Sequence, residues 1–515
     1  MRAGGEASAS RGMQALWVLA PVLMFALVAL VSIAWLARDR APLVFDPAAH
    51  VAGSVEFARD PVASLRFERQ VYPPLGHALT GAVLRLDGYR VDAAIGVVGL
   101  AFLAVMLFAT YGIGRELHSA RAGAIAAVLL GLYPATFIHA RSAMLDLPTA
   151  AIATASVYAL IRSRGLTERR WVVALGVLGG LGWLTKQSYP IAIAGPLLYV
   201  ALTAPRRART YQHLALAIGI ALLLSLPWYL PRVGWFVGDY ASAQSAYAGS
   251  RGDPETWSVF GLAYYFIGTW HQTSFVFAVV FAAALAPFAL GARRGLLLSW
   301  WLGVVALTTL LDLKDSRFLL PALPAIALMT AIGLCELQRR RVIDVLVVAL
   351  VLFGVVQMWA ASFGIGALPQ GEIVVNRPES DERPQWFAQN YRLTLGESSQ
   401  ADRSGWGTGG GIGEIAGRVG VVGDRVVYDA VNIPRYVGEA RAGRLLTRAE
   451  FVTCANPAAF ARYDVIVVQV GGRGSPGDAA ATEACVRGLG LVLRVPLDVR
   501  GLLGGATAVD VYRVR

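Results

Sequence analysis

The sequence predicts a mainly α-helical membrane protein with a small α/β domain at its C-terminal end. Three observations lead there. Of the 515 residues, 56% are hydrophobic, and the mean hydropathy is +0.54, outside the range of soluble enzymes. The apolar residues are gathered into blocks long enough to cross or nearly cross a bilayer. After Phe363 the hydropathy falls, and short β-rich runs alternate with helical patterns.

The apolar blocks lie at about 14–36, 92–114, 122–140, 147–161, 171–186, 190–204, 212–231, 273–291, 296–312, 318–335 and 342–363. That predicts about eleven transmembrane helices, several of them short for a hydrocarbon core of about 30 Å. The first block follows Arg2 and Arg11 and is too long for a cleaved signal, so it is read as a retained span. Residues 1–363 form the expected membrane domain, with 37–91 as a first outer loop containing interfacial helices. Residues 71–87 are fairly apolar and are read as an interfacial or re-entrant helix of that loop. Residues 364–515 form the expected extracytoplasmic domain, with 364–411 as its linker.

Charge fixes the expected orientation. The formal charge is +12, which at first suggests a nucleic-acid partner. Alternating the spans places sixteen arginines against five acids on the side of the N-terminus. The opposite loops are neutral, and the tail after residue 363 is nearly so. The excess is thus a topology signal and excludes nucleic acid as partner. The N-terminus is expected in the cytoplasm of a cell with an inner membrane, and the C-terminal domain outside it. The bacterial source is inferred from the arginine bias.

In the C-terminal domain, helix-like residues 412–418 precede strands expected near 425–428, 463–470, 489–495 and 508–513, with helical patterns at 447–452 and 478–488. The run 405–413, Gly-Trp-Gly-Thr-Gly-Gly-Gly-Ile-Gly, lacks the Gly-Lys-Ser/Thr ending of a phosphate loop and is read as a flexible connection. Cys454 and Cys485 both lie here, and a disulfide between them is left open by sequence alone. Cys335 is read as a small core residue.

Only two of the 46 basic residues are lysines, Lys186 and Lys314. The plain reading is codon bias with snorkelling at the interface. The sharper one is a pair of ammonium groups beside an anionic ligand. The assigned topology puts both on the outer side, with Asp46, Asp146 and Asp312. Carboxylates and cations near bilayer depth generally face a cavity and one another. Asp46 and His50 share a face if 46–50 is helical, and are candidate ligands for a divalent metal. A structural hydrogen bond is the plainer role for His50.

Four motifs follow in order: Tyr72-Pro73-Pro74-Leu75, Arg141-Ser142-Ala143-Met144-Leu145-Asp146-Leu147-Pro148, Gly182-Trp183-Leu184-Thr185-Lys186, and Leu313-Lys314-Asp315-Ser316-Arg317-Phe318-Leu319-Leu320-Pro321. With Asp46 after the first span, this series resembles the GT-C superfamily of membrane glycosyltransferases. It is most similar to the branch of protein O-mannosyltransferases and the lipid A aminoarabinose transferase. The resemblance covers about 14–335 and is most specific over 71–190. It implies a GT-C-like fold and transfer of a sugar, hexosyl or pentosyl, from a polyprenyl-phosphate donor to a lipid, glycan or protein acceptor, with inversion at the anomeric carbon. Two positions depart from the family pattern. Pro47 stands where a glutamate is common, and Tyr72 stands where relatives place Lys or His; Arg69, Lys186, Lys314 or Arg317 would replace that cation.

The residue types suit the chemistry. A carboxylate can take the proton of an acceptor hydroxyl, and cations stabilise a departing phosphate. Asp46 is the candidate base and Asp146 a second carboxylate. Lys186, Lys314, Arg317, Arg141 and Arg69 are candidate phosphate contacts, and His50, Tyr72, Pro73 and Pro74 candidate cavity residues. A transporter or flippase for an anionic or lipid-linked substrate would share such buried charges, but the sequence shows no internal repeat to support it. A sugar-lipid binding protein without activity is a third reading, prompted by Pro47.

Overall fold

The computed structural model describes residues 2–39, 42–66, 72–204, 207–290, 294–337, 339–363, 415, 417–471, 475–477, 479–496 and 508–514. The N-terminal part runs α1 (Arg2–Leu36), α2 (Phe45–Arg59), α3 (Pro61–Ser64), α4 (Pro74–Leu86), α5 (Val91–Leu117), α6 (Ala120–Leu132), α7 (Pro134–His139), α8 (Asp146–Arg162) and α9 (Arg169–Trp183). It continues with α10 (Tyr189–Thr203), α11 (Ala208–Tyr229), α12 (Val233–Trp235), α13 (Ala241–Arg251), α14 (Val259–Thr273), α15 (Phe275–Leu290), α16 (Gly295–Thr309), α17 (Leu323–Glu336) and α18 (Arg340–Phe363). Every expected apolar block falls on a helix or on two consecutive helices. Among the described residues, five helical stretches are long and apolar enough to cross a membrane, six if the bent pair α14–α15 counts as one span. Helices α6, α10 and α16 are apolar but shorter. The chain is a multi-pass membrane protein.

The block 122–140 does not form one helix. Pro134 begins α7 at the break after Tyr133, because a proline lacks the N–H that would continue α6. The sequence also gave no sign that α14 would precede α15 at a bend of 118°. The centre of the bundle is α6 and α17, whose residues are almost all buried. A Cβ at Gly123 would lie 2.3 Å from the Tyr111 carbonyl oxygen, so α5 and α6 touch backbone to backbone. Small residues permit that approach in membrane helices.

The C-terminal domain holds a five-stranded sheet. Its strands are β1 (Val419–Val422), β2 (Glu450–Phe451), β3 (Val465–Val470), β4 (Gly490–Pro496) and β5 (Ala508–Arg513), in spatial order β2-β1-β3-β5-β4. β1 pairs in parallel with β2 and β3, and β5 pairs antiparallel with β3 and β4. Helices α19 (Arg425–Arg441) and α20 (Ala479–Cys485) complete it. Three expected strands are present. The expected strand at 425–428 is instead the first turn of α19. Asp424 caps that turn by accepting from the Val427 amide at 3.0 Å, and the cap overrides the β-branched pair Val426-Val427. The helix expected at 447–452 is extended chain, held by the Val452 amide on the Val421 carbonyl at 2.9 Å. Residues 364–414, including the linker and the glycine-rich run, lie outside the described residues, as does most of 412–418. Cys454 and Cys485 are disulfide-bonded, and Cys335 is free and partly buried.

Helix α19 packs on α2. Ala48, Val51 and Val55 meet Ile433, Tyr436 and Ala440 in one apolar cluster. Arg448 and Tyr436 donate to the buried Glu56 carboxylate at 2.7 and 3.1 Å. The C-terminal domain therefore rests directly on the loop helix that begins with Phe45-Asp46.

Candidate active site

The site is assembled at helix ends. Asp46 lies in the first turn of α2 and Asp146 in the first turn of α8, where helix N-termini favour negative charge. The turn after α9 supplies Lys186, and the 3-10 turn Ser316–Ala322 supplies Arg317. The amide of Leu75 donates to the Leu184 carbonyl at 2.9 Å, tying the Pro-Pro-Leu turn to the Leu-Thr-Lys turn. Pro73 and Pro74 start α4 at that tie and preset its direction.

Two ion pairs form the centre. Lys186 Nζ donates to Asp146 Oδ1 at 2.6 Å; the Asp146 side chain is buried and that of Lys186 partly buried. Arg317 Nη2 meets Asp46 Oδ2 at 2.7 Å, while its Nε lies 3.1 Å from Asp315 Oδ2. Arg317 also feels the Asp146 charge, so the two pairs form one electrostatic cluster of three carboxylates and two cations. Among the described residues Asp146 Oδ2 has no hydrogen-bond partner. Asp46 is the most open member, with 38% of its side chain exposed.

A cavity of about 420 Å³ opens beside this cluster. Asp146, Lys186, Gln187, Tyr240 and Asp312 are among its polar lining, and Ile191, Val304, Leu310 and Phe318 among its apolar lining. Gln187 donates to the Tyr240 hydroxyl at 2.6 Å, and Ser245 donates to Asp312 at 2.5 Å. A second cavity of about 190 Å³ lies between α2 and α19. Tyr72, Arg425, Tyr428, Asp429 and Arg448 line it.

His50 is buried beneath the cluster. Its Nδ1 is 2.9 Å from His77 Nε2, and Tyr72 packs edge-on to its ring at 4.7 Å. Burial, aided by the Lys186 charge, pushes the His50 pKa down to about 3; burial and His50 itself push His77 well below the usual range. Both rings are neutral at pH 7, one nitrogen donating and the other accepting. Burial raises the Tyr72 hydroxyl well above its ordinary value, and the Asp46 charge adds to this. A small cavity joins His50, His77 and His139, and among the described residues neither ring nitrogen of His139 has a hydrogen-bond partner. The described residues contain no group of three or more His, Cys, Asp or Glu side chains suited to a metal ion. His50 spends its Nδ1 on His77 while Asp46 faces Arg317, so the pair suggested for a divalent cation is drawn to separate partners.

Lys314 is turned away from the cluster. Its side chain is fully buried, and Nζ donates to the Thr309 carbonyl at 2.5 Å, to the Leu311 carbonyl, and to Thr256 Oγ1 at 3.3 Å. It caps the C-terminus of α16, where a cation meets unsatisfied carbonyls. Burial lowers its pKa. Arg141 is also buried elsewhere. It donates to Ser362 of α18 at 2.8 Å and lies 4.6 Å from the Trp35 ring centre, a brace between α1 and α18. Arg69 lies outside the described residues.

Sequence reasoning missed Asp315, His77, Tyr240 and Asp429. Asp315 stands within a quoted motif, and its spacing from Arg317 was the available signal. Tyr240 and Asp429 carried none.

The comparisons with known proteins agree with this architecture. Residues 71–230 match the family described as dolichyl-phosphate-mannose-protein mannosyltransferase. No curated protein sequence matches the chain. The structure is similar to that of ArnT from Cupriavidus metallidurans in the apo state, with a TM-score of 0.59 at 15% identity over 98% of each chain. It is also similar to the same ArnT bound to undecaprenyl phosphate, with a TM-score of 0.61 at 15% identity over 95% of this chain and 97% of that one. The matched segment contains the Pro-Pro-Leu, Asp146 and Lys186 motifs, and the fold match spans both the helical bundle and the C-terminal domain: the chain has the GT-C membrane fold.

Proposed function

We propose that this protein is a membrane glycosyltransferase that moves a sugar from a polyprenyl-phosphate donor to an acceptor hydroxyl. One observation carries the reading. Asp146 and Lys186 line a largely apolar cavity and are coupled electrostatically to the Arg317–Asp46 pair, in a fold shared with a protein whose structure holds undecaprenyl phosphate. The cavity offers apolar walls to the prenyl chain and the Lys186 ammonium to its phosphate, with Arg317 in the adjoining charge cluster.

In the reaction the acceptor oxygen attacks the anomeric carbon, its proton passes to Asp46, and the bond to the phosphate oxygen breaks. The phosphate leaves with the electron pair, and its charge is met by Lys186 and Arg317. Arg317 already pairs with Asp46, so base and leaving group are kept adjacent. The anomeric centre inverts, because attack and departure occur on opposite faces. Asp146 holds Lys186 in place. The acceptor approaches through the cavity between α2 and α19, where Tyr72 connects that cavity to His50 and Asp46.

The protein is assigned to a bacterial inner membrane, with its N-terminus in the cytoplasm and its C-terminal domain outside. The arginine distribution and the Cys454–Cys485 disulfide support this orientation. The test uses purified protein in lipid nanodiscs, a set of radiolabelled polyprenyl-phosphate hexoses and pentoses, and crude envelope acceptors. Label leaving the lipid for the acceptor fraction is the expected result. In proteoliposomes, label that crosses the bilayer while still attached to lipid would establish a transporter instead.

A further inference from the structure

Helix α2 carries the candidate base in its first turn, yet that turn lacks a cap of its own. Its N-cap residue is Val44, which has no side-chain acceptor. The next residue, Phe45, has φ of 56°, the left-handed region that non-glycine residues avoid. Such a conformation persists only where surrounding structure holds it.

The holding group comes from the other domain. Asp429 of α19, buried and 384 residues away, accepts the Phe45 amide on Oδ2 at 2.9 Å. Arg425 Nε donates to the same oxygen at 2.9 Å and keeps it aimed. The far end of α2 is fixed as well, through Glu56 to Arg448 and Tyr436 and through Arg59 to the Gly443 and Arg444 carbonyls. The α2 helix is thus clamped at both ends by the C-terminal domain, and the N-terminal clamp is one residue from Asp46. A carboxylate supplied in trans does here what Ser, Thr, Asp or Asn does at an ordinary N-cap.

We infer that Asp429 is a positioning residue for the reaction, which makes the C-terminal domain part of the catalytic centre. The direction of the Asp46 side chain follows from the backbone turn at Phe45. Releasing that turn would let the carboxylate drift from Arg317 and from the acceptor oxygen. The inference rests on the assignment of Asp46 as base in the preceding section.

The experiment compares full-length wild type, D429A, D429N and the double variant D429A/F45G in nanodiscs. Transfer is followed from a radiolabelled polyprenyl-phosphate sugar to crude envelope acceptor, and hydrogen–deuterium exchange is read on the α2 amides. D429A should lower kcat roughly tenfold or more, the scale on which misplacement of a reacting group acts. The donor KM should stay within about twofold, because the cations are untouched. D429N, which keeps an oxygen acceptor, should lose less. Exchange should quicken at the start of α2 and stay unchanged in α6 and α17. Glycine adopts positive φ without strain, so F45G should restore part of the activity lost in D429A, and it supplies a second readout if D429A alone folds poorly. Unchanged kcat in D429A, or an equal rise in exchange throughout the bundle, overturns the inference. A wild type that depends on Asp46 but is indifferent to Asp429 defeats this inference alone. A wild type indifferent to Asp46→Asn defeats the base assignment and this inference together.

Discussion

Lys186, in the turn after α9, donates to Asp146, in the first turn of α8, at 2.6 Å, and the two form a largely buried ion pair. The pair is costly to break on one side only. Lys186→Ala would strand a buried carboxylate and should cost about 3–5 kcal/mol of stability. The double variant Lys186→Met with Asp146→Leu should recover most of that loss in thermal unfolding while transferring no sugar. A double variant as unstable as the single would show that the pair does not act as a unit.

Lys314 should behave differently from Lys186, although the two are the only lysines of the chain. Lys314→Met removes donors from the carbonyls at the end of α16 and should destabilise by about 1–3 kcal/mol. Its effect on the Kd for undecaprenyl phosphate should be small, whereas Lys186→Met should weaken that binding about tenfold or more. Binding measured on both variants in nanodiscs checks this. Equal losses of affinity would return Lys314 to the phosphate site.

The buried histidines set an acid limit. His50 has its pKa pushed down to about 3, and His77 lies well below the ordinary value of 6.5. Between those values and 6.5 the unfolded chain binds protons that the native protein does not. The stability is therefore fully present above about pH 6.5 and is lost as pH falls. Each histidine contributes about 1.4 kcal/mol per pH unit below that point. Unfolding midpoints measured at pH 7 and pH 5 should fall accordingly, and His77→Gln should make the slope shallower. An unaltered slope in His77→Gln would mean the acid sensitivity arises elsewhere.

The Cys454–Cys485 bridge closes a loop of 31 residues within a small domain. Cys454→Ser should cost that domain about 2–4 kcal/mol. Because α19 carries Asp429, the loss should also appear as faster exchange at the start of α2. Exchange confined to the region around β2 and α20 would separate the disulfide from the site.

The sequence was most informative where local chemistry decides the structure. The apolar blocks became helices because a helix satisfies all of a segment's backbone groups within that segment, as a continuous apolar run in lipid requires. Asp46, Asp146, Lys186 and Arg317 were recognisable from motif order, and they do converge. The position of Lys314 was not legible, because the same motif can supply a site cation or a helix cap, and only the path of the chain after α16 tells them apart. Asp429 was hidden for another reason. It lies in a stretch whose valines favour a strand on propensity, until the Asp424 cap commits it to helix. Its partner is an amide 384 residues away, a contact that leaves no trace in periodicity or spacing.

The most direct test of the account is single-turnover transfer by Asp46→Asn beside wild type, with undecaprenyl-phosphate binding measured on the same samples. Loss of a general base predicts transfer slowed by about 10²–10⁴-fold with binding of undecaprenyl phosphate retained. Transfer at the wild-type rate by Asp46→Asn would contradict the account.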